Sequence, residues 1–271
     1  MLLERINISI DLGFTIFRLG KENPCIALIS GITYDDGCGV ATLRNVVDKL
    51  KSLTLRGSVI VVPHVNELDL DVENNRYSGS LFNLLIKRFS EVLPSNCLVI
   101  ELRCASGFEP HIVIDKASTD NSVKNVLEAI PIKYIVMSNT SNTAKILRER
   151  GFNVITIVFG GGKEFSLDDV EQYVQVILDF LGNLNIIKRR VKQVQHEYLD
   201  RYHVIKCHSR GIFVPSIARG SEVSAKDLIG SLDGAEVTSP VDGVVLYVSS
   251  PRLCNIGDVI CVIGAKSKGT P

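Results

Sequence analysis

Ser30-Gly31-Ile32-Thr33-Tyr34-Asp35-Asp36-Gly37 follows an apolar run at residues 25–29 and precedes a helical pattern at residues 40–50. A strand that ends in a glycine turn and feeds a helix leaves its turn residues at the carboxyl edge of a sheet, where open α/β folds keep their ligands. That edge is where a site is expected. Working outward, alternating segments at 6–10 and 15–19 precede the stretch, and a helix at 40–53 and a strand at 58–63 follow it. Beyond lie a helix at 80–93, strands at 98–102 and 112–114, a helix at 122–129 and a strand at 133–137. A helix at 142–151, a strand at 153–159 and a long helix at 167–184 complete the series. Strands alternating with helices predict a mixed, mostly parallel sheet covered by helices.

The character changes after Asn185. "IIKRRVKQVQHEY" reads as a charged connector, and from Tyr202 onward closely spaced glycines mark a β-rich module without helices. The boundary falls at 187/188, giving an α/β domain at 1–187 and a connector with a β-rich domain at 188–271. Within the module, "GIFVPSIARGSEVSAKDLIGSL" and "GVVLYVSSPRLCNIGDVICVIG" repeat one layout, with Lys226-Asp227 and Gly257-Asp258 at matching places.

Composition sets broad bounds. The chain has 271 residues, 45% hydrophobic and 22% charged, and Lys+Arg 30 balances Asp+Glu 30. This balance gives no electrostatic footprint for nucleic acid, and every apolar run is far shorter than a bilayer span. The first residues carry Glu4 and Arg5 and show no signal-peptide pattern, so the expected compartment is cytoplasmic. The seven cysteines are scattered and form no Cys-x-x-Cys pair, which predicts buried reduced thiols at Cys25, Cys97 and Cys261.

"SGITYDDGCGVATLRNVVDKL" resembles the first signature of the succinylglutamate desuccinylase/aspartoacylase family, zinc-dependent deacylases with a carboxypeptidase-like α/β fold. "GSVIVVPHVNELDLDVENNRYSG", "CLVIELRCASGFEPHIVID" and "GFNVITIVFGGG" resemble its later landmarks, and the tail layout resembles its C-terminal β domain and, more loosely, a biotinyl/lipoyl hammerhead. The hairpin at 232–237 has no Lys, which argues against a covalent carrier role. The resemblance implies roles for particular residues. Thr33 and Asp36 stand where the family has its zinc-binding His and Glu, and Arg103 stands at the second His. Val158 stands at the general-base Glu, and Glu101 at the Asp of the family's Asp-Leu-His strand end. Asn75, Arg76 and Arg103 are the implied substrate-binding residues.

Four catalytic positions thus depart together. A catalytic zinc takes about three protein ligands and one open position, and among the inherited positions only Asp36 can donate. A guanidinium about 4 Å from a divalent cation would be repelled by roughly 8 kcal/mol at an effective dielectric of ~20, and arginine cannot shed its proton. The expectation is that Arg103 takes the metal's place as a fixed cation paired with Asp36 and Asp35. The leading functional reading is a divergent family member without zinc hydrolysis and without a cofactor, acting as a binding or interaction protein. Its expected partners are a small carboxylate ligand, further copies of itself or an active relative.

The alternative is a metal-dependent amide hydrolase of a small N-acylated amino acid, with zinc on reassigned ligands. Asp36, Cys38, His64 and His111 are its candidates, with Asp35 and Cys104 nearby, on the expectation that His64 and His111 face the cleft. A third reading is an arginine-lined anion sensor. "FGGGK" lacks phosphate-loop spacing, and His196, His203 and His208 read as surface or interdomain groups.

Overall fold

The computed structural model describes residues 1–8, 13–33, 35–67, 76–115, 121–190 and 193–266, with 76–81, 121 and 122 as backbone alone. The first part runs β1 (Leu2–Asn7), β2 (Gly13–Gly20), β3 (Cys25–Ile29), α1 (Gly37–Leu50), β4 (Ser58–Val62), α2 (Arg76–Val92), β5 (Leu98–Cys104) and β6 (His111–Ile114). It continues with α3 (Asn121–Ala129), β7 (Tyr134–Met137), α4 (Asn142–Glu149), β8 (Val154–Phe159), α5 (Leu167–Asn183) and β9 (Glu197–Leu199).

All five residues of β3 are buried, so water touches neither face of it. It lies inside a nine-stranded sheet of order β1-β2-β4-β3-β5-β8-β6-β7-β9. The β4-β3-β5-β8 and β6-β7-β9 pairings are parallel, while β1-β2, β2-β4 and β8-β6 are antiparallel. Helices cover both faces. On one face α1, α3 and α5 bury Leu43, Val46, Leu127, Val174 and Ile177; on the other, α2 and α4 bury Leu85, Phe89 and Leu147. Each such side chain contributes about 1.5–3 kcal/mol by leaving water. α1 presents Leu43, Val46, Val47 and Leu50 as one apolar stripe, the helical period legible in the sequence.

The expected connector holds one surprise, for β9 joins the edge of the large sheet beside β7. Beyond it, β10 (Arg201–Lys206), β11 (Gly211–Pro215), β12 (Glu222–Val223), β13 (Leu228–Leu232), β14 (Ala235–Thr238), β15 (Gly243–Val248), β16 (Arg252–Cys254) and β17 (Val259–Ala265) form two four-stranded sheets. Their orders are β10-β17-β15-β12 and β14-β13-β11-β16. Exchanging β10 with β14, β11 with β15, β12 with β16 and β13 with β17 turns one sheet into the other, which is the repeat seen in the sequence. The matching turns agree in detail. Asp227 Oδ2 accepts from the Ser224 N–H at 2.7 Å and Asp258 Oδ2 from the Asn255 N–H at 2.9 Å. Lys226 and Gly257 both take the left-handed conformation, at φ 80 and 91, which costs a non-glycine residue about 1–2 kcal/mol.

The β module docks over the β6-β7-β9 half of the large sheet. Tyr134, Val136 and Leu199 pack against Val244 and Leu246, and the Glu109 N–H donates to the Leu246 carbonyl at 2.7 Å. The β3-β5 half of the carboxyl edge is left open to the cleft described below.

The thiol expectation needs correction. Cys25 is bonded to Cys97 and Cys207 to Cys254, while Cys38, Cys104 and Cys261 are free and buried. Residues 25 and 97 are far apart in sequence, but β3 and β5 are parallel neighbours and Cys97 immediately precedes β5, so their Cα atoms come within 4.6 Å. Disulfides persist mainly in oxidising compartments and in intracellular proteins of hyperthermophiles, so the pairing bears on the cytoplasmic expectation. Among the described residues no helix is long and apolar enough to cross a membrane.

Candidate functional site

The turn after β3 is built by backbone contacts that hold Asp36 in place. Gly31 adopts φ +64, and a Cβ there would lie 2.5 Å from His64 Cδ2, so only glycine lets the segment after β4 close over the turn. That segment is pinned by Asn66, whose N–H donates to the Gly31 carbonyl at 2.8 Å and whose Nδ2 donates to the Ile32 carbonyl at 3.1 Å. Asn66 is therefore a scaffold for the site.

Asp36 precedes α1 yet does not cap it. Its Oδ2 accepts from the N–H groups of Ile32 at 3.0 Å and Thr33 at 2.9 Å, and its Oδ1 accepts from the Cys104 N–H at 3.0 Å. The carboxylate is fully buried, and three backbone donors fix its position. Arg103 faces it from β5. Nε lies 3.3 Å from Asp36 Oδ1, and Nη2 donates to Thr33 Oγ1 at 3.3 Å. Nη1 lies 3.7 Å from Glu101 Oε1, the oxygen left over after Glu101 Oε2 accepts from Ser141 Oγ at 2.6 Å and Thr156 Oγ1 at 2.8 Å. Burial alone would lower the Arg103 pKa; Asp36 and then Glu101 outweigh it, and the net direction is upward. Thr33, Asp36 and Arg103 thus meet as expected, but the second carboxylate is Glu101 rather than Asp35, which is exposed. A charged residue inside the apolar strand "LVIELRC" was the available signal for Glu101.

Beside this cluster opens a cleft of about 590 Å³ lined by Thr33, Asp36, Arg44, Asn45, His64 and Lys163 among others. A quarter of the Arg103 side chain, 26%, is exposed. Beneath the turn lie the buried thiols of Cys38 and Cys104, where the influence of Cys104 lowers the Cys38 pKa and that of Cys38 raises the Cys104 pKa.

The reassigned zinc set does not assemble. Arg103, Val158 and His111 share one row of the sheet, because Arg103 pairs with Val158 across β5-β8 and His111 with Val158 across β8-β6. The docked β module covers the His111 end of that row, which corrects the expectation that His111 faces the cleft. Its Nδ1–H donates to the Glu109 carbonyl at 2.7 Å and its Nε2 accepts from Tyr202 Oη at 2.6 Å. Burial pushes its pKa down to about 4. His64 lines the cleft, whereas Cys38 is fully buried and does not line it. Among the described residues no group of three or more His, Cys, Asp or Glu side chains is placed to hold a metal ion. With a guanidinium already on Asp36, these residues do not fit zinc. Val158 is half-buried and offers no base, and Glu164 is exposed. Asn75 lies outside the described residues, and Arg76 is described only as backbone at the start of α2.

The mixed sheet, its two helical layers and the appended β module define a zinc carboxypeptidase-like α/β fold with a guanidinium at its carboxyl edge. It is the fold of the succinylglutamate desuccinylase/aspartoacylase proteins. The ectoine utilization protein EutE (DoeB) of Ruegeria pomeroyi, solved with product bound, is similar at TM-score 0.77 and 16% identity over 97% of this chain and 94% of that one. A succinylglutamate desuccinylase/aspartoacylase of Rhodobacter sphaeroides is similar at TM-score 0.76 and 16% identity, over 97% and 94%. An aspartoacylase family protein of Mesorhizobium loti follows at TM-score 0.70 and 18% identity, over 94% and 90%. No sequence-family model matches the chain, and no curated protein does.

Proposed function

We propose that this chain is a divergent succinylglutamate desuccinylase/aspartoacylase-family protein that does not carry out zinc-dependent hydrolysis and acts as a binding protein for a small carboxylate-bearing ligand. The observation that carries the reading is the set of Arg103 contacts to Asp36, Thr33 and Glu101. A fixed cation stands among the residues that would face a metal, and it supplies charge without the open coordination position that activates water. Without a carboxylate at Val158, proton transfer to or from a water also lacks its agent. What remains is recognition. Arg103 is partly exposed, and Arg44 and Lys163 line the adjoining cleft, a cationic setting suited to a carboxylate.

The test is to titrate the protein with succinate and N-acetylaspartate while following its thermal midpoint and, in parallel, the release of free amine from the acylated compound. The reading expects a saturable rise in midpoint with no amine release, with or without added zinc. Zinc-dependent amine release would overturn it in favour of a hydrolase.

A further inference from the structure

The cleft does not end at Arg44 and His64. Both residues also line a second cavity, of about 330 Å³, whose apolar lining is Phe17, Val47 and Pro63. This groove exists because the sheet outruns its helices. Leu3 pairs with Phe17 and Phe17 with Val61 across β1-β2-β4, and residues directly opposite each other share one face of a sheet. Val61 is fully buried in the core that α1 helps to form, Phe17 is half-buried, and Leu3 is 58% exposed. An apolar row thus runs out from under α1, and the groove lies where Phe17 leaves its cover. The helix supplies the other wall. Arg44, Val47, Asp48 and Lys51 follow one another at i, i+3, i+4 and i+7, which places them on one side of α1 over about 10 Å.

The charges around this groove neutralise one another. Lys51 Nζ donates to Asp48 Oδ1 at 2.6 Å, and Arg5 Nη1 pairs with Glu67, whose Oε1 accepts from Thr15 Oγ1 at 3.5 Å. A second ionic end of a ligand would have to displace one of these partners. An uncharged arm can cover Phe17, Val47 and Pro63 and leave both pairs intact. The cleft side differs, with Arg44 and Lys163 in its wall and Arg103 partly exposed beside it. We infer that the groove is a second subsite of the cleft and takes an apolar arm of the bound molecule. The ligand is then an amphiphilic carboxylate, with an alkyl or aryl tail reaching about 10 Å along α1. Its anionic head lies in the cleft, and the tail passes Arg44 and His64, the residues common to both cavities. Cleft and groove together have the room of sites that enclose drug-sized molecules.

The subsite rests on the carboxylate reading of the cleft, and one set of titrations separates the two. The full chain is titrated by calorimetry with succinate, 2-methylsuccinate and 2-octylsuccinate, which share one head and differ in tail. Each fully buried methylene is worth about fourfold in affinity, so 2-octylsuccinate should bind at least about tenfold more tightly than 2-methylsuccinate. In Phe17→Ser that ratio should fall below about threefold, and in Phe17→Leu, where the lining stays apolar, it should persist. Because the ratio is taken within one variant, a partial loss of folded protein does not change it. Equal binding of the methyl and octyl compounds, or a full ratio that survives Phe17→Ser, would overturn the subsite while the carboxylate reading stands. Failure of all three compounds to bind would overturn the carboxylate reading itself, and the subsite with it.

Discussion

Arg103 and His111 stand in one row of the sheet with Val158 between them, and they meet opposite fates. Arg103 stays charged because two carboxylates surround it and the cleft side admits water. His111 is sealed by the β module and stays neutral, each ring nitrogen matched to one partner. The difference teaches that what lies over a sheet edge decides the chemistry of the residues on it. The open half of this edge favours a permanent charge, and the covered half excludes one.

The contrast can be broken from either end. Replacing Arg103 with Met leaves Asp36 and Glu101 buried without a cation, and breaking a buried pair by removing one partner costs about 3–5 kcal/mol. Urea unfolding of Arg103→Met should show a loss of that size; a loss below about 1 kcal/mol would mean that the two carboxylates are satisfied without it.

At the other end the probe is pH. The folded His111 pKa of about 4 lies below the ordinary 6.5, so the unfolded chain binds the extra proton first. The stability due to neutral His111 is fully present above pH 6.5 and declines as pH falls from 6.5 towards 4, by about 3 kcal/mol at 1.36 kcal/mol per unit. His111→Gln should flatten this part of the stability–pH profile relative to the unaltered chain. An unchanged slope would assign it to other groups.

A smaller loss is expected for Tyr202→Phe, which leaves His111 Nε2 without its donor inside the interface. An unpartnered buried acceptor costs about 1–3 kcal/mol, and the effect should shrink when Tyr202→Phe is combined with His111→Phe, as a double-mutant cycle would show. Smallest is the rim of the open half. Arg44→Ala removes one exposed charge from the cleft and should weaken binding of succinate about fivefold, roughly 1 kcal/mol, without moving stability. An unchanged dissociation constant by calorimetry would place the ligand elsewhere.

Much of this contrast was legible in the sequence, and the remainder was lost for identifiable reasons. Periodicity revealed the α/β alternation, because apolar runs such as that in β3 and the stripe on α1 follow from burial alone. The glycine turn and the repeat in the β module were equally plain, since Asx turns and left-handed positions leave residue signatures. The pairing of Arg103 with Asp36 was legible through a family resemblance and the impossibility of discharging arginine. Three features were hidden. Glu101 was placed at a family Asp position, but its pairing with Arg103 in place of Asp35 depends on a side-chain contact that the sequence does not show. His111 was expected at the cleft because sequence places it near the edge without showing what docks there. Cys25 and Cys97 were expected as free thiols because the contact that joins them depends on which strands become neighbours.

The central claim, that the Arg103 guanidinium stands in place of a metal, is tested most directly by counting zinc. Protein equilibrated with stoichiometric zinc and dialysed against a mild chelator is predicted to retain almost none, since an ion beside Asp36 would face a fixed cation with too few ligands. Close to one tightly held zinc per chain, lost on substitution of Asp36 or His64, would contradict the account.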